Sequence, residues 1–498
     1  MARVVVVGAG MGGMAAAARL RVKGHEVTVL ESGDTHGGKL GVLARDGFAF
    51  DTGPSLFTIP AVYRDLFLKT GGALEDSVEL VALEPGFDYR FPDGTRLPMP
   101  GAGAGRAAEA MGDALGGRAA DDWRALLARG GRMWATTRGP FLESPLTGAR
   151  DLVPLARDLA AVRTVAPWLT LRGLGRRTLS DWRARQVLDR YATYSGSDPR
   201  RAPAVLATIP YVEATFGAWH IAGGLRRLGD ALRERLDERG VVVRLGARVT
   251  RITVSGGRVS GVTLADGEHV PADVVIANAD ARHVYGDLLG DAAPRAPRRR
   301  LERATPSLSG FVLLLAVSGR TPGLAHNTVW FPGDYDAEFD AVFGRHPQPV
   351  ADPTIYACVP DDPAMRPSDG EAWFVLVNAP RHSPGARAPG TIDWDEPGLA
   401  ERYADDVLHR LAARGMDLRD RVLWRELRSP ADLERATAAP GGAIYGTSSN
   451  GPRAAFLRPQ NAAPVPGLFL VGGSAHPGGG LPLVGMSAEI VAGLVGRA

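Results

Sequence analysis

Apolar β-branched residues run unbroken from Val4 to Val7, glycines follow at once, and alanine dominates positions 15 to 18. Such a run predicts a strand buried on both faces of a parallel sheet. The alanines predict a helix to about Lys23 that Gly24 stops, and His25–Leu30 predicts a second strand ending at Glu31. Further along, LSGFVLLLAV (308–317), TIYACVP (354–360) and AWFVLVNAP (372–380) predict strands of a second, mixed sheet. Between 103 and 210 the periodicity turns helical, with stretches at 107–115 and 121–138. Near the end, Leu468–Val471 predicts one more strand, followed by a glycine-dense loop and a helix beginning near Val484 to Met486.

With 498 residues the chain has room for two or three domains, and 45% hydrophobic with 23% charged residues is an ordinary globular balance. A net charge of +3 makes no case for nucleic acid. Basic clusters at Arg176-Arg177, Arg200-Arg201 and Arg298-Arg299-Arg300 read as solvated faces or as attraction to an anionic membrane surface. The single cysteine, Cys358, excludes an internal disulfide and lies in an apolar run, as a buried inert thiol does. No apolar stretch approaches the roughly 20 residues that cross a bilayer. These features predict a cytoplasmic protein, peripheral to a membrane if it meets one.

Gly8, Gly10 and Gly13 satisfy G-x-G-x-x-G, with Gly12 between them, and Glu31 follows 18 residues after the last glycine. Strand, glycine turn, helix, strand and acid together form a dinucleotide site. The turn brings backbone to the pyrophosphate, the helix N-terminus offers free N–H groups, and Glu31 can accept both hydroxyls of an adenosine ribose. After it comes SGDTHGGKLG, with Ser32, a second glycine pair ending at Gly38, Lys39 and Leu40, and then DGFAFDTGPSLFT, with Gly53, Pro54 and Ser55. A nicotinamide domain has no need of this second loop. A flavin, with its ribityl chain and ring, does. GAGAGR (101–106) follows two prolines and reads as a loop after a turn, so only one dinucleotide fold is supported.

On these motifs, together with RYATYSGSDPRRAP (190–203), YVEATFGAWHIAGGL (211–225) and the return strand ADVVIANAD (272–280), the sequence resembles the bacterial carotenoid (phytoene) desaturases, within the FAD-dependent amine oxidase-like superfamily. The resemblance covers nearly the whole chain. It implies an α/β fold with a Rossmann-type FAD-binding domain (1–100, 220–300 and 440–498) interleaved with an α+β substrate domain (101–219 and 301–439). It implies FAD as cofactor, with Val249 against the adenine and Asn278 on the returning strand. It also implies that the C-terminal loop from Gly472-Gly473 to Gly480, with the helix carrying Val484 and Met486, closes over the flavin. Relatives often carry an aspartate in the pair that is Gly472-Gly473 here, and Ala475 stands where a threonine is usual before His476.

The implied reaction is removal of hydride from a long apolar polyene, with oxygen or a quinone as final electron acceptor. Candidate acid/base residues are His476, Glu213 and His220, each of which can equally serve as a structural hydrogen-bonding group. Tyr191, Tyr194, Phe216 and Trp219 are candidate tunnel walls for a flat polyene or a plain packed core. Arg150–Leu171, rich in leucine and valine and broken by Pro154 and Pro167, reads either as a core helix pair or as an interfacial segment on a membrane. No metal ligands group together in the sequence. The rival readings are an amine oxidase, an isomerase or other enzyme of polyene-derived substrates, and a non-enzymatic escort protein on the same fold.

Overall fold

The computed structural model describes residues 1–451 and 453–498, and all their side chains except those of residues 149 and 152. Five parallel strands form the nucleotide-side sheet in the order Leu468–Leu470, Val274–Ala277, Arg3–Val7, Glu26–Leu30, Val242–Arg244. The first strand lies at its centre, and its alternation explains why it is apolar throughout. Val4 and Val6 pack with the helices Met11–Val22, Arg226–Glu238 and Leu481–Val495. Val5 and Val7 pack on the other side against Val249, Ile252 and Val262, which belong to the antiparallel strands Val249–Ser255, Arg258–Leu264 and His269–Pro271. Each buried valine removes a side chain's worth of apolar surface from water, about 1.5 to 3 kcal/mol.

A second sheet has seven strands, in the order Val422–Arg428, Ser309–Ser318, Gly370–Ala379, Ile355–Cys358, Asn327–Trp330, Phe87–Arg90, Arg96–Met99. All pairs are antiparallel except Asn327–Trp330 with Phe87–Arg90, so the sheet is mixed as expected. Phe311, Leu313, Leu315 and Val317 face the helix Leu399–Ala413, while Val312, Leu314 and Ala316 face Phe48 and Phe50. The helices Ala104–Leu115, Ala119–Thr137, Leu171–Thr178 and Trp182–Arg190 pack over Phe87, Tyr89, Leu97 and Met99.

Two boundaries differ from expectation. Residues 87–99, expected with the nucleotide portion, form the outer strands of the substrate sheet. Pro98 is accommodated because Arg96–Met99 is an edge strand, where a missing N–H costs no ladder bond. The C-terminal helix starts at Leu481, ahead of Val484, because Pro482 falls in the first turn, where no N–H partner is needed.

Arg150–Leu171 is not a core helix pair. It breaks into short helices, Ala149–Leu152, Val153–Arg157 and Leu159–Val165, and Leu159 and Trp168 are 70% and 62% exposed. Pro154 opens the second of these and Pro167 follows the third.

Candidate functional site

The glycine turn is forced by crowding. A Cβ on Gly13 would lie 2.2 Å from the Gly8 carbonyl oxygen, so helix and strand can approach this closely only without a side chain. The turn passes into the helix Met11–Val22 through Gly10, no side chain caps that helix, and its first turn holds no acid. Its leading N–H groups thus lack side-chain acceptors, the arrangement an anion fits. Glu31 sits across the turn. One carboxylate oxygen accepts the Ala9 N–H at 2.7 Å, and the other accepts the Gly33 N–H at 2.8 Å and the Ser32 hydroxyl at 3.1 Å. Backbone donors therefore fix the carboxylate, leaving lone pairs for ligand hydroxyls.

The second glycine loop lies directly against the first, with the Gly37 N–H donating to Ala9 O at 2.8 Å and Gly38 beside Gly10. Leu40 anchors the loop by burying its side chain in the nucleotide-side core. Lys39 donates to the carbonyls of Ile444 at 2.7 Å and Ala443 at 3.3 Å. Its side chain retains open surface, yet desolvation pulls its ammonium below the usual lysine range, against the attraction of Asp280. Both observations hold for a group lining a re-entrant cleft. At Gly53 a Cβ would fall 1.7 Å from Lys39 O, so the Gly53-Pro54-Ser55 segment packs flush against the same loop. Ser55 Oγ is 2.9 Å from the Tyr356 hydroxyl, joining this segment to the substrate sheet.

Asn278 stands where three glycine segments converge. Its Nδ2 is 3.4 Å from Gly8 O, and a Cβ on Gly10, Gly12 or Gly472 would come within 2.6 to 2.8 Å of its amide. Gly473 and Gly480 continue that loop into the C-terminal helix, whose N-terminus likewise has no side-chain cap and no first-turn acid. Val484 lies beside Gly12, while Met486 is buried. Two uncapped helix N-termini, the oriented carboxylate of Glu31 and Lys39 are thus carried by glycine loops that touch one another. Val249 is buried on the strand that follows Ala247, whose N–H donates to Glu31 O.

Arg226 and Arg458 left no local sequence signal, whereas Asp51 opens the DTGPS segment on which the resemblance partly rests. Asp51 accepts the N–H groups of Leu225 and Arg226 at 2.8 and 3.0 Å and so caps the helix Arg226–Glu238. Burial pushes its carboxyl up while those donors and nearby cations pull it down. Arg226 then reaches back to His36 O at 2.8 Å and Thr35 Oγ1 at 3.0 Å, clamping the second glycine loop. Arg458 donates to Gly473 O at 2.8 Å and Tyr445 O at 3.1 Å, and also to Thr447 O, tying the C-terminal loop to 445–447. Burial lowers its guanidinium to about 10, against attraction from Asp280.

The acid/base candidates fall in three separate places. Glu213 is buried and accepts the hydroxyls of Tyr191 at 2.5 Å and Tyr194 at 3.4 Å. Burial raises its carboxyl, and the Tyr191 hydroxyl and the Arg190 charge oppose that rise. His220 Nε2 is 2.9 Å from Asp362 Oδ2, and its ring packs 4.9 Å from that of His326. His476 Nε2 is 3.1 Å from Ser144 O, its ring meets Phe141 edge-on at 5.2 Å, and its Nδ1 is buried without a partner. Burial lowers His476 to about 4, so the imidazole is neutral at pH 7.

The aromatic candidates also divide. Tyr191 and Tyr194 contact each other at 5.2 Å in the substrate-side core. Trp219 packs toward the nucleotide-side core and donates its indole N–H to Phe216 O at 2.7 Å, and Phe216 meets Trp134 edge-on. Among the described residues, one grouping has metal-ligand potential, His382, Asp393 and Asp395. Its atoms are engaged: His382 Nδ1 accepts the Trp394 N–H, Asp393 accepts the Gly385 N–H, and Asp395 pairs with Arg435.

The chain matches the family described as "Flavin containing amine oxidoreductase" over residues 11–323. It is 32% identical to 4,4'-diapolycopene oxygenase of Methylomonas sp, over 98% of this chain and 97% of that one. It is 33% identical to hydroxyneurosporene desaturase of Rubrivivax gelatinosus, over 98% and 92%. It is 34% identical to the zeta-carotene-forming phytoene desaturase of Myxococcus xanthus, over 98% and 93%. Among solved structures, wild-type putrescine oxidase bound to putrescine superimposes with a TM-score of 0.66 at 16% identity, covering 99% of this chain and 98% of that one. An oxidoreductase from Methanosarcina mazei superimposes with a TM-score of 0.63 at 17% identity, covering 98% and 99%. The residues present fit FAD: Glu31 is held with lone pairs free for ribose hydroxyls, and two helix N-termini without side-chain caps offer N–H groups that would suit phosphates and a reduced ring. The family match spans well over half of the chain and the relatives align along nearly all of it, so the chain belongs to the flavin-containing amine oxidoreductases, in their carotenoid desaturase branch.

Proposed function

We propose that the protein is an FAD-dependent desaturase of a long apolar polyene of the carotenoid class, which it takes from a membrane surface. The observation that carries this reading is that identity to relatives named for carotenoid substrates covers 98% of the chain, the substrate half included. The likeness to putrescine oxidase, at 16% identity, is one of fold.

Bound FAD supplies hydride acceptance from carbon. The chain's own residues would bind and orient it: Glu31 at the ribose, Gly10 to Gly13 and Asn278 at the pyrophosphate, Lys39 and Gly53 to Ser55 along the middle, and Gly472 to Met486 at the ring. The uncapped N-terminus of Leu481–Val495 would place its positive dipole end near a bound flavin ring, where it would favour negative charge. Tyr194, Tyr356 and Tyr445 line the substrate side with flat aromatic surface that excludes water. Positive charge left on a conjugated chain is spread over many carbons, so a weak base suffices to take the following proton. Glu213, His220 and His476 remain the candidates for that step.

The surface segment 150–168 gives the route from lipid. Leu159 and Trp168 present apolar surface, with Arg150, Arg157 and Arg163 in the same stretch for anionic headgroups. Among the described residues no helix is long and apolar enough to cross a membrane. Oxygen or a quinone is the final electron acceptor in this reading.

Expression in a host that accumulates acyclic carotenoids, with products identified by mass, tests the proposal. Loss of two hydrogens per step supports desaturation. Gain of oxygen supports a second reading, favoured by the relatives named 4,4'-diapolycopene and 4,4'-diaponeurosporene oxygenase. An unchanged mass with a shifted spectrum points to isomerisation, and unchanged carotenoids contradict the proposal.

A further inference from the structure

Arg190 ends the helix Trp182–Arg190 and is only 6% exposed, although its guanidinium is permanently charged. It is surrounded by rings: its guanidinium carbon lies 4.9 Å from the centre of Phe87, 5.0 Å from Tyr194, 5.6 Å from Tyr356 and 5.7 Å from Tyr89. Among the described residues its side chain makes one hydrogen bond, from Nη1 to the Tyr194 hydroxyl at 2.7 Å. Glu213 is reached only through that hydroxyl, which lies 3.4 Å from Oε2. Among the described residues no other hydrogen bond of ordinary geometry reaches the guanidinium. The Tyr89 hydroxyl nearby is also buried and unpartnered.

The cluster adjoins the cofactor cleft on two sides. Tyr356, under the guanidinium, shares a hydrogen bond with Ser55 of the Gly53-Pro54-Ser55 segment. Tyr445 is wedged between Gly196 and Gly479: a Cβ on either would come within 2.9 or 2.5 Å of its ring carbons. Tyr194, Tyr356 and Tyr445 all keep accessible surface within this packed region. A wall serving a pure hydrocarbon needs rings and no cation, because a hydrocarbon offers no acceptor to a desolvated donor. The rings stabilise the buried charge through their faces but leave the in-plane N–H groups unused.

We propose that Arg190, with the Tyr194 hydroxyl, reads an oxygen atom at the end of the polyene, a hydroxyl or a carbonyl, and makes the enzyme selective for oxygenated over hydrocarbon carotenoids. This rests on the carotenoid reading above and narrows its substrate class. Arg190 and Tyr194 are specificity-determining residues in this account, and the hydride and proton steps do not pass through them.

The test uses FAD-loaded full-length protein and liposomes carrying acyclic polyenes of equal conjugation that end in a hydrocarbon, a tertiary alcohol or an aldehyde. Sites built to hydrogen-bond an oxygen discriminate strongly against analogues lacking it, so wild-type kcat/KM for an oxygenated substrate should exceed that for the hydrocarbon by about tenfold or more. Arg190→Gln and Tyr194→Phe should each collapse that ratio toward one, mainly through KM, and weaken binding of the oxygenated polyene in tryptophan-fluorescence quenching. Tyr194→Phe keeps the ring and carries the test if Arg190→Gln does not fold. The alcohol and aldehyde arms identify which oxygen is read. A wild-type preference for the hydrocarbon, or a ratio unchanged in flavin-loaded Tyr194→Phe, overturns the proposal. Failure of all three polyenes to reduce the flavin defeats the parent reading, and the inference falls with it.

Discussion

Gly13 and Gly53 show how tightly the cofactor cleft constrains single positions. A methyl at Gly13 would overlap Gly8 O, and one at Gly53 would overlap Lys39 O, so the neighbouring backbone would have to move. We expect Gly13→Ala, and Glu31→Ala combined with Gly10→Val, to give protein that purifies without flavin, read from the visible spectrum; a variant that stays yellow contradicts the site. Glu213 is also predicted to contribute to stability. Glu213→Gln leaves one phenolic donor poorly matched and should cost about 1.5 to 3 kcal/mol in denaturant unfolding, the range for hydrogen bonds to a charged group. Residues of the glycine turn were legible in the sequence because their geometry admits one residue type at a fixed spacing. Arg226 and Arg458 were not, and neither were the partners of Asp51, because those partners are main-chain atoms distant in the chain and any local sequence could supply them.

Elements were legible where one periodicity ran long enough. The ten-residue strands Ser309–Ser318 and Gly370–Ala379 form as their apolar runs predict, and the structure shows that they pair antiparallel with each other. Short elements were harder. Phe87–Arg90 and Arg96–Met99 carry a proline and a turn, and only their parallel partner Asn327–Trp330 reveals that they belong to the substrate sheet. The segment 150–171 was ambiguous because a leucine-rich stretch broken by prolines suits a core or a lipid surface equally; the exposure of Leu159 and Trp168 removes the core reading, and the lipid reading is the one proposed. Leu159→Asp with Trp168→Asp should therefore weaken co-sedimentation with anionic liposomes by about tenfold or more while the flavin spectrum persists. Undiminished sedimentation would remove this segment from the membrane contact.

At the scale of the whole molecule, the two halves are stitched together by groups that must stay uncharged. His476 couples the C-terminal loop to residues 141–144, and His326 sits beside His220 under the substrate sheet. Burial lowers His476 to about 4 and His326 to about 3. Both fall below the unfolded value of about 6.5, so as pH falls through that value toward 4 the unfolded chain takes up protons that the folded one refuses, and stability drops. Buried acids raised in the fold, Glu213 and Asp189 among them, act in the opposite direction. The histidine contribution is therefore read as a difference: between pH 7 and pH 5, His476→Gln should lose about 2 kcal/mol less stability than the wild type. Equal losses would mean that His476 titrates normally in the fold.

The interleaving has a functional consequence. The cofactor segment Gly53-Pro54-Ser55 meets the substrate sheet at Ser55–Tyr356, so in the proposed reading a polyene on that sheet's aromatic residues would lie close to the flavin. The most direct test is anaerobic mixing of the FAD-loaded protein with liposomes containing a partly desaturated acyclic carotenoid, recording flavin and polyene absorbance together. The account predicts bleaching of the flavin band in step with a red shift of the polyene. A flavin that stays oxidised with every carotenoid, yet bleaches with an amine, would contradict it.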